Sequence, residues 1–296
     1  MEFYANLHMH TTHSDGVYTP EEIVRVAKAE GYSALAISDH DTATGYPRFK
    51  AACEKEGIEP LFAVEFSVYS EAKSKSYHIV AFSFDPTYPP MAEYLAAMGK
   101  RQTDNTKSCF DEAVATGGLT GITWEEVEAY NEGVIWLCNN HVFAAMKAKG
   151  LVKEEDYMDF FLTHFQKQRG KYPPTIKFKT PEELVALVKA AGGFCVVAHP
   201  HNQLDDIDYL IELGIEGMEV WHPDLTEEEK VRAHKIALEK GLFISGGCDH
   251  SGLCGGLYSS YHTEEELKAS YHYIPEHSVG TTEEYFRELQ NHKLNR

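Results

Sequence analysis

An α/β fold, built from βα units whose parallel strands close toward a barrel, is what this sequence predicts. Three observations carry the prediction. Short apolar runs alternate with helical stretches, the helices open on marked caps, and a glycine stands between each helix and the next apolar run. The number of repeats suits a barrel of roughly seven or eight strands.

The elements follow in order. Residues 3–7 are apolar and read as the first strand. Thr19-Pro20-Glu21-Glu22 supplies an N-cap, a proline at the first helical position and a glutamate at the third. Gly31 precedes the second strand at 34–37, and Gly57 precedes a third at 61–64; residues 79–84 form another apolar run. The rhythm then breaks. Residues 91–115, 124–130, 142–149 and 154–168 all carry helical patterns with little strand between them. Thr180-Pro181-Glu182-Glu183 repeats the capping grammar, and Gly192-Gly193 leads into the run 194–198. Gly214 precedes 218–221, Thr226 with Glu229 caps another helix, and Gly241 precedes 242–245. Residues 253–279, rich in Gly, Ser, Tyr and His, read as a long loop at the barrel mouth before a last helix over 282–292. The expected organisation is a barrel from residues 1–90 and 180–296, with a helical insertion, 91–179, that contributes to the active site.

Composition narrows the function. The chain has 296 residues, 43% of them hydrophobic, enough for a full core. Its formal charge of −19 repels nucleic acid at long range and argues against stable binding to a nucleic-acid polymer. A small anionic substrate held by metals and a local basic patch stays compatible with it. No secretory signal and no membrane-spanning apolar stretch is visible. The six cysteines (Cys53, Cys109, Cys138, Cys195, Cys248, Cys254) form no C-x-x-C pair and read as reduced thiols of a cytoplasmic protein.

The polar residues with chemical potential recur at the ends of the strands. His8 and His10 follow the first strand, His40 the second, Glu65 the third, His199 the run 194–198, and Asp249 and His250 the run 242–245. A His-x-His pair on an extended chain points both imidazoles one way, and imidazoles with carboxylates suit divalent transition metals. His78 is the exception, since it precedes or begins its run. Taken singly, each residue has a plainer reading. His13, His164, His234 and His292 read as solvated, Glu65 suits a buried ion pair, and Asp39 and Asp41 suit orienting His40 or capping a turn. It is their joint placement that argues for a metal cluster, because so much buried charge is costly without a cation.

His8-Met9-His10-Thr11-Thr12-His13-Ser14-Asp15-Gly16, Ser38-Asp39-His40-Asp41, Glu65 and Ala198-His199-Pro200 resemble the PHP (polymerase and histidinol phosphatase) family, nearest its stand-alone phosphoesterases. The likeness runs from residue 1 to about residue 252 and implies a distorted (βα)7-type TIM-like barrel with two or three divalent ions, Mn, Fe or Zn. It implies that His8, His10, Glu65 and Asp249 hold one metal. Glu65, His78 and His141 would hold a second, and Asp15, His40 and His250 a third. Lys100 and Arg101 match residues that contact substrate phosphate. His199 matches a residue facing the site, for substrate contact or proton transfer. Two departures stand out: Asn139-Asn140-His141 replaces Arg-Pro-His, and Gly247-Cys248-Asp249-His250 lacks the spacer between the last two ligands.

The implied activity is hydrolysis of a small phosphorylated metabolite or nucleotide by a metal-activated water. The alternatives are a cyclic phosphodiesterase or nuclease on the same cluster, a metal-stabilised regulatory domain, and a C–N amidohydrolase. The last normally carries a lysine bridge where this chain has Glu65.

Overall fold

The structure, a computed structural model, describes residues 2–165, 176–249 and 279–294. Among the described residues, eight strands form two sheets. The first is parallel and made of β1 (Ala5–Asn6), β2 (Ala34–Leu35) and β3 (Glu59–Pro60). The second runs β4 (Ala63–Ser70), β5 (Lys75–Phe82), β6 (Phe194–Val197), β7 (Gly217–Trp221) and β8 (Phe243–Gly246). β4 and β5 form an antiparallel hairpin, β5 pairs antiparallel with β6, and β6, β7 and β8 are parallel.

This corrects the expected run of βα units around one closed barrel. No helix separates β4 from β5, so these two pair as a hairpin, and β1 to β3 are two residues long. Among the described residues the sheets meet at two seams rather than in one continuous ladder. At one seam Leu7 N–H donates to Gly246 O (3.2 Å) and Asp249 N–H to His8 O (2.9 Å). At the other, Glu65 N–H donates to Ser38 O (3.1 Å) and Asp41 N–H to Glu65 O (2.9 Å). The first seam requires a glycine. A Cβ at Gly247 would lie 2.3 Å from His8 N, so any side chain there would push β8 off the His8 strand.

Helices α1 (Pro20–Ala29), α2 (Tyr46–Glu56) and α7 (Pro181–Ala190) flank the strands, with α8 (Ile207–Glu212), α9 (Glu227–Lys240) and α10 (Glu283–Leu294). The capping boxes at Thr19, Thr180 and Thr226 are all formed: each hydroxyl accepts the N–H three residues on, and each glutamate accepts the cap's own N–H. Between β5 and β6 lie α3 (Pro89–Ala115), α4 (Trp124–Tyr130), α5 (Asn139–Ala148) and α6 (Tyr157–His164). These helices pack Phe110, Trp124, Phe143, Tyr157 and Phe161 into an apolar cluster of their own. The main cluster between sheet and helices includes Phe66, Ile79, Met98, Val197 and Met218. α10 closes the fold: Arg287 grips Glu59 through Nη1 at 2.6 Å, and Thr281 bridges to Ala5. The loop read over 253–279 lies almost wholly outside the described residues, as do His250, Cys254 and the second basic patch of the insertion, Arg169 and Lys171.

Candidate metal centre

Glu65 stands at the centre of the polar cluster. It is the third residue of β4 and fully buried. Its Oε2 lies 3.2 Å from His8 Nε2, 3.3 Å from His10 Nε2 and 3.1 Å from His40 Nδ1. Its Oε1 lies 2.9 Å from His78 Nδ1 and 3.0 Å from His199 Nε2. One carboxylate therefore meets five imidazoles, three on one oxygen and two on the other.

Each neighbour arrives from a different element. His8 and His10 leave β1 with their Nε2 atoms 3.2 Å apart. His40 follows β2 and stacks on His10, ring centroids 4.5 Å apart. His78 is the fourth residue of β5 rather than a residue before the strand. It pairs with Ser67 while Glu65 pairs with Val80, which makes His78 and Glu65 diagonal neighbours on one face of the hairpin. The antiparallel hairpin thus explains the one residue that parallel βα reasoning misplaces. His199 follows β6, and Asp249, after β8, brings Oδ1 to 2.9 Å from His10 Nε2 and 3.4 Å from His8 Nε2.

Asp15 sits on the loop after His10, with Oδ1 3.6 Å from His10 Nδ1 and Oδ2 3.7 Å from His40 Nε2. Asp39 organises that loop from behind. Its Oδ1 accepts the Thr11 N–H (2.7 Å) and the Ser14 hydroxyl (2.7 Å), and its Oδ2 accepts the Thr11 hydroxyl (2.8 Å). The helical segment holds the same loop from the other side: Asn140 Nδ2 donates to Asp15 O, and Trp136 stacks over His40 at 5.8 Å.

His141 does not join the cluster. Its Nδ1 accepts the Cys138 N–H at 2.9 Å and its Nε2 donates to Thr12 O at 3.0 Å, so both nitrogens serve the backbone at the start of α5. His199 occupies the place beside Glu65 and His78 that the family resemblance gives to His141. Lys100 is also elsewhere: it is exposed and paired with Asp104 at 2.6 Å. Arg101, the next residue, turns inward. Its guanidinium lies 3.7 Å over the Phe178 ring, and Nε donates to Ile176 O at 3.0 Å. Its charge acts on Asp41, which also feels Glu65. Two residues absent from the sequence reading border the cluster, Glu219 on β7 and His222 just beyond it.

The electrostatics match a cation site. Burial works against charge on His8, yet Glu219, Glu65 and Asp249 hold its imidazole well above the ordinary range. Burial likewise opposes ionisation of Glu65 and Asp249, and the surrounding imidazoles hold both well below the usual carboxylate range. Glu65 Oε2, His10 Nδ1 and His40 Nδ1 are buried without a hydrogen bond. Such atoms cost free energy unless a further partner meets them. The donor set of imidazole nitrogens and carboxylate oxygens suits divalent transition metals. Among the described residues, four overlapping groups have ligand atoms within 4.8 Å of one another: His8, His10, Glu65 and Asp249; His40, Glu65 and His78; His10, Asp15 and His40; and His8, Glu219 and His222.

The family model that matches is the PHP domain, over residues 6–172. The chain belongs to the PHP domain family. Its relatives include a phosphoribosyl 1,2-cyclic phosphate 1,2-diphosphodiesterase of Eggerthella lenta, 28% identical over 84% of this chain and 95% of the relative. A 5'-3' exoribonuclease of Haemophilus influenzae is 27% identical over 85% and 91% of the two chains. A 3',5'-nucleoside bisphosphate phosphatase of Chromobacterium violaceum is 27% identical over 88% and 91%. Among solved structures, a Bifidobacterium adolescentis protein classed as a metal-dependent phosphoesterase superposes with a TM-score of 0.74. It is 27% identical, over 97% of this chain and 96% of that one. Within this PHP chain the matched segment carries His8, His10, Asp15, His40, Glu65 and His78, but neither His199 nor Asp249.

Proposed function

We propose that this chain is a metal-dependent phosphoesterase acting on a small phosphorylated metabolite or nucleotide. The observation that carries the reading is Glu65, whose two oxygens face separate sets of imidazoles. A carboxylate so placed suits a bridge between two cations. His8, His10, Glu65 and Asp249 would hold one ion. Glu65, His78 and His199 would hold a second, and Asp15 and His40, with His10 Nδ1 beside them, are left for a third. Divalent ions bound there supply an activated water and neutralise charge on phosphoryl oxygens. In this reading His199 serves as a ligand rather than as the proton donor.

The chain's own part is to hold and orient the substrate. Arg101 is fixed by Phe178 and Ile176, and among the described residues no carboxylate lies within ion-pair distance of its terminal nitrogens. A guanidinium held this way can grip two phosphate oxygens. Relatives that cleave a cyclic phosphate, a bisphosphate and RNA share phosphoester hydrolysis and differ in substrate. The exoribonuclease favours a second reading, stepwise cleavage from an RNA end. Cys53 and Cys138, buried and in no disulfide, suit a reducing compartment such as the cytoplasm. No helix among the described residues is long and apolar enough to cross a membrane.

The test is phosphate or nucleotide release from mononucleotides, bisphosphates, sugar phosphates, cyclic phosphates and a short 5'-phosphorylated RNA, with added Mn²⁺. Activity on at least one class, abolished by chelator and by Glu65→Gln, is expected. Turnover that survives both would sink the proposal, and preference for the RNA would select the second reading.

A further inference from the structure

β7 is an apolar, buried strand interrupted by one charge. Glu219 lies between Met218 and Val220 with no exposed surface. A carboxylate in that setting is costly unless both oxygens find donors. Here both do: His8 Nδ1 donates to Oε1 at 2.9 Å, and the His199 backbone N–H donates to Oε2 at 2.8 Å. Glu219 therefore ties together two members of the cluster that approach from β1 and β6. The His199 contact secures an awkward piece of backbone. His199 has φ of 23°, and its carbonyl accepts the His201 N–H at 2.6 Å, a conformation that survives only where its surroundings enforce it.

His222 reaches the same side by an irregularity. In a regular strand, residues three apart face opposite ways. The pairing of β7 with β8 slips between Glu219 and Trp221, and such a bulge re-aims the residues beyond it. His222 Nε2 comes to 3.5 Å from Asp249 Oδ2 and 3.9 Å from Glu219 Oε2. Its Nδ1 accepts the Asp224 N–H at 3.1 Å, so the proton sits on Nε2 and faces the carboxylates.

We propose that Glu219 and His222 are positioning residues that form a supporting layer behind the metal centre. Glu219 fixes the proton of His8 on Nδ1, which turns the Nε2 lone pair into the cluster, and it anchors the peptide of His199. His222 faces Asp249 Oδ2 while Oδ1 turns toward His8 and His10. The proposal rests on the metal-centre reading above. His8, Glu219 and His222 are near enough to be taken for an ion site of their own. Against that, both Glu219 oxygens already accept hydrogen bonds, and an ion on His8 Nδ1 would displace the proton donated to Glu219.

The experiment is calorimetric titration of chelator-stripped protein with Mn²⁺, wild type against Glu219→Gln, with the visible spectrum of the Co²⁺-loaded forms as second readout. Glutamine keeps the shape but has only one acceptor oxygen, so either His8 or the His199 peptide loses its partner. We expect an unchanged number of ions per chain, affinity weakened roughly 10–100-fold, and an altered Co²⁺ spectrum. Loss of one ion with the others bound as before would make Glu219 a ligand and overturn the proposal. Wild-type affinity with an unaltered spectrum would also overturn it while leaving the metal-centre reading intact. Wild-type protein that binds no ion would overturn both. If Glu219→Gln does not fold, His222→Gln carries the test, with the same stoichiometry and a weakening of up to about tenfold expected; unchanged affinity there would overturn the proposal.

Discussion

His141 shows how one side chain separates a structural histidine from a ligand. Burial pushes its imidazole down to about 4. The native state then refuses a proton that the unfolded chain accepts below its ordinary pKa of about 6.5. Stability from this residue is fully present above about pH 6.5 and is lost as pH falls through about 4, on the order of 3 kcal/mol at most. His141→Gln should lower stability by about 1–3 kcal/mol and flatten that pH dependence, with Mn²⁺ stoichiometry unchanged. Denaturant melts between pH 4 and 7, beside metal analysis, check both. Arg101 makes the complementary case. Arg101→Ala should lower kcat/KM about 10- to 1000-fold, roughly 1.4–4 kcal/mol, while metal content stays intact. Steady-state kinetics on the best substrate, showing no change, would remove Arg101 from substrate recognition.

At the scale of elements, the β4–β5 hairpin sets the relation of Glu65 to His78, and its outer end is pinned by Asp206. Lys73 Nζ lies 2.9 Å and Lys75 Nζ 3.0 Å from that carboxylate, and Tyr77 donates to it at 3.0 Å. Burial raises its pKa, but these partners outweigh it and hold the group down to about 2. The stabilisation is therefore present above about pH 4 and lost as pH falls toward 2. Asp206→Asn should cost about 1–2 kcal/mol at pH 7, a deficit that shrinks as pH falls to about 2; thermal melts at pH 7 and pH 2 measure it. The same hairpin shows what the sequence makes legible. His8, His10, His40 and Asp249 can be read because a ligand-type residue directly after an apolar run is a local pattern. His78 cannot be placed that way, since its position depends on a hairpin in a region that reads as βα units. Glu219 sits inside an apolar run, and the bulge that aligns it with His222 breaks the period-two rule used to assign faces. His141 carries a ligand's side chain, but its environment is set by the helix cap it completes.

For the whole molecule, the net charge of −19 and an anionic substrate oppose each other. The repulsion extends over about 30 Å at 0.01 M ionic strength and about 10 Å at 0.1 M. Added inert salt in that range should therefore raise kcat/KM for a dianionic substrate, the reverse of steered association. Kinetics at constant free Mn²⁺ provide the check, and a fall would mean that the cations near the mouth govern capture.

The seam between β1 and β8 also governs the order of events during synthesis. His8 and His10 leave the ribosome before Asp249, which completes their side of the cluster and follows His8 by 241 residues. At about 5–20 residues per second that delay is roughly 12–50 s. During it, His8 and His10 lack their carboxylate partner and stand open to any metal that imidazole binds. Selectivity for the proper ion is then set by exchange once Asp249 has docked against His8 and the site offers carboxylates as well as imidazoles.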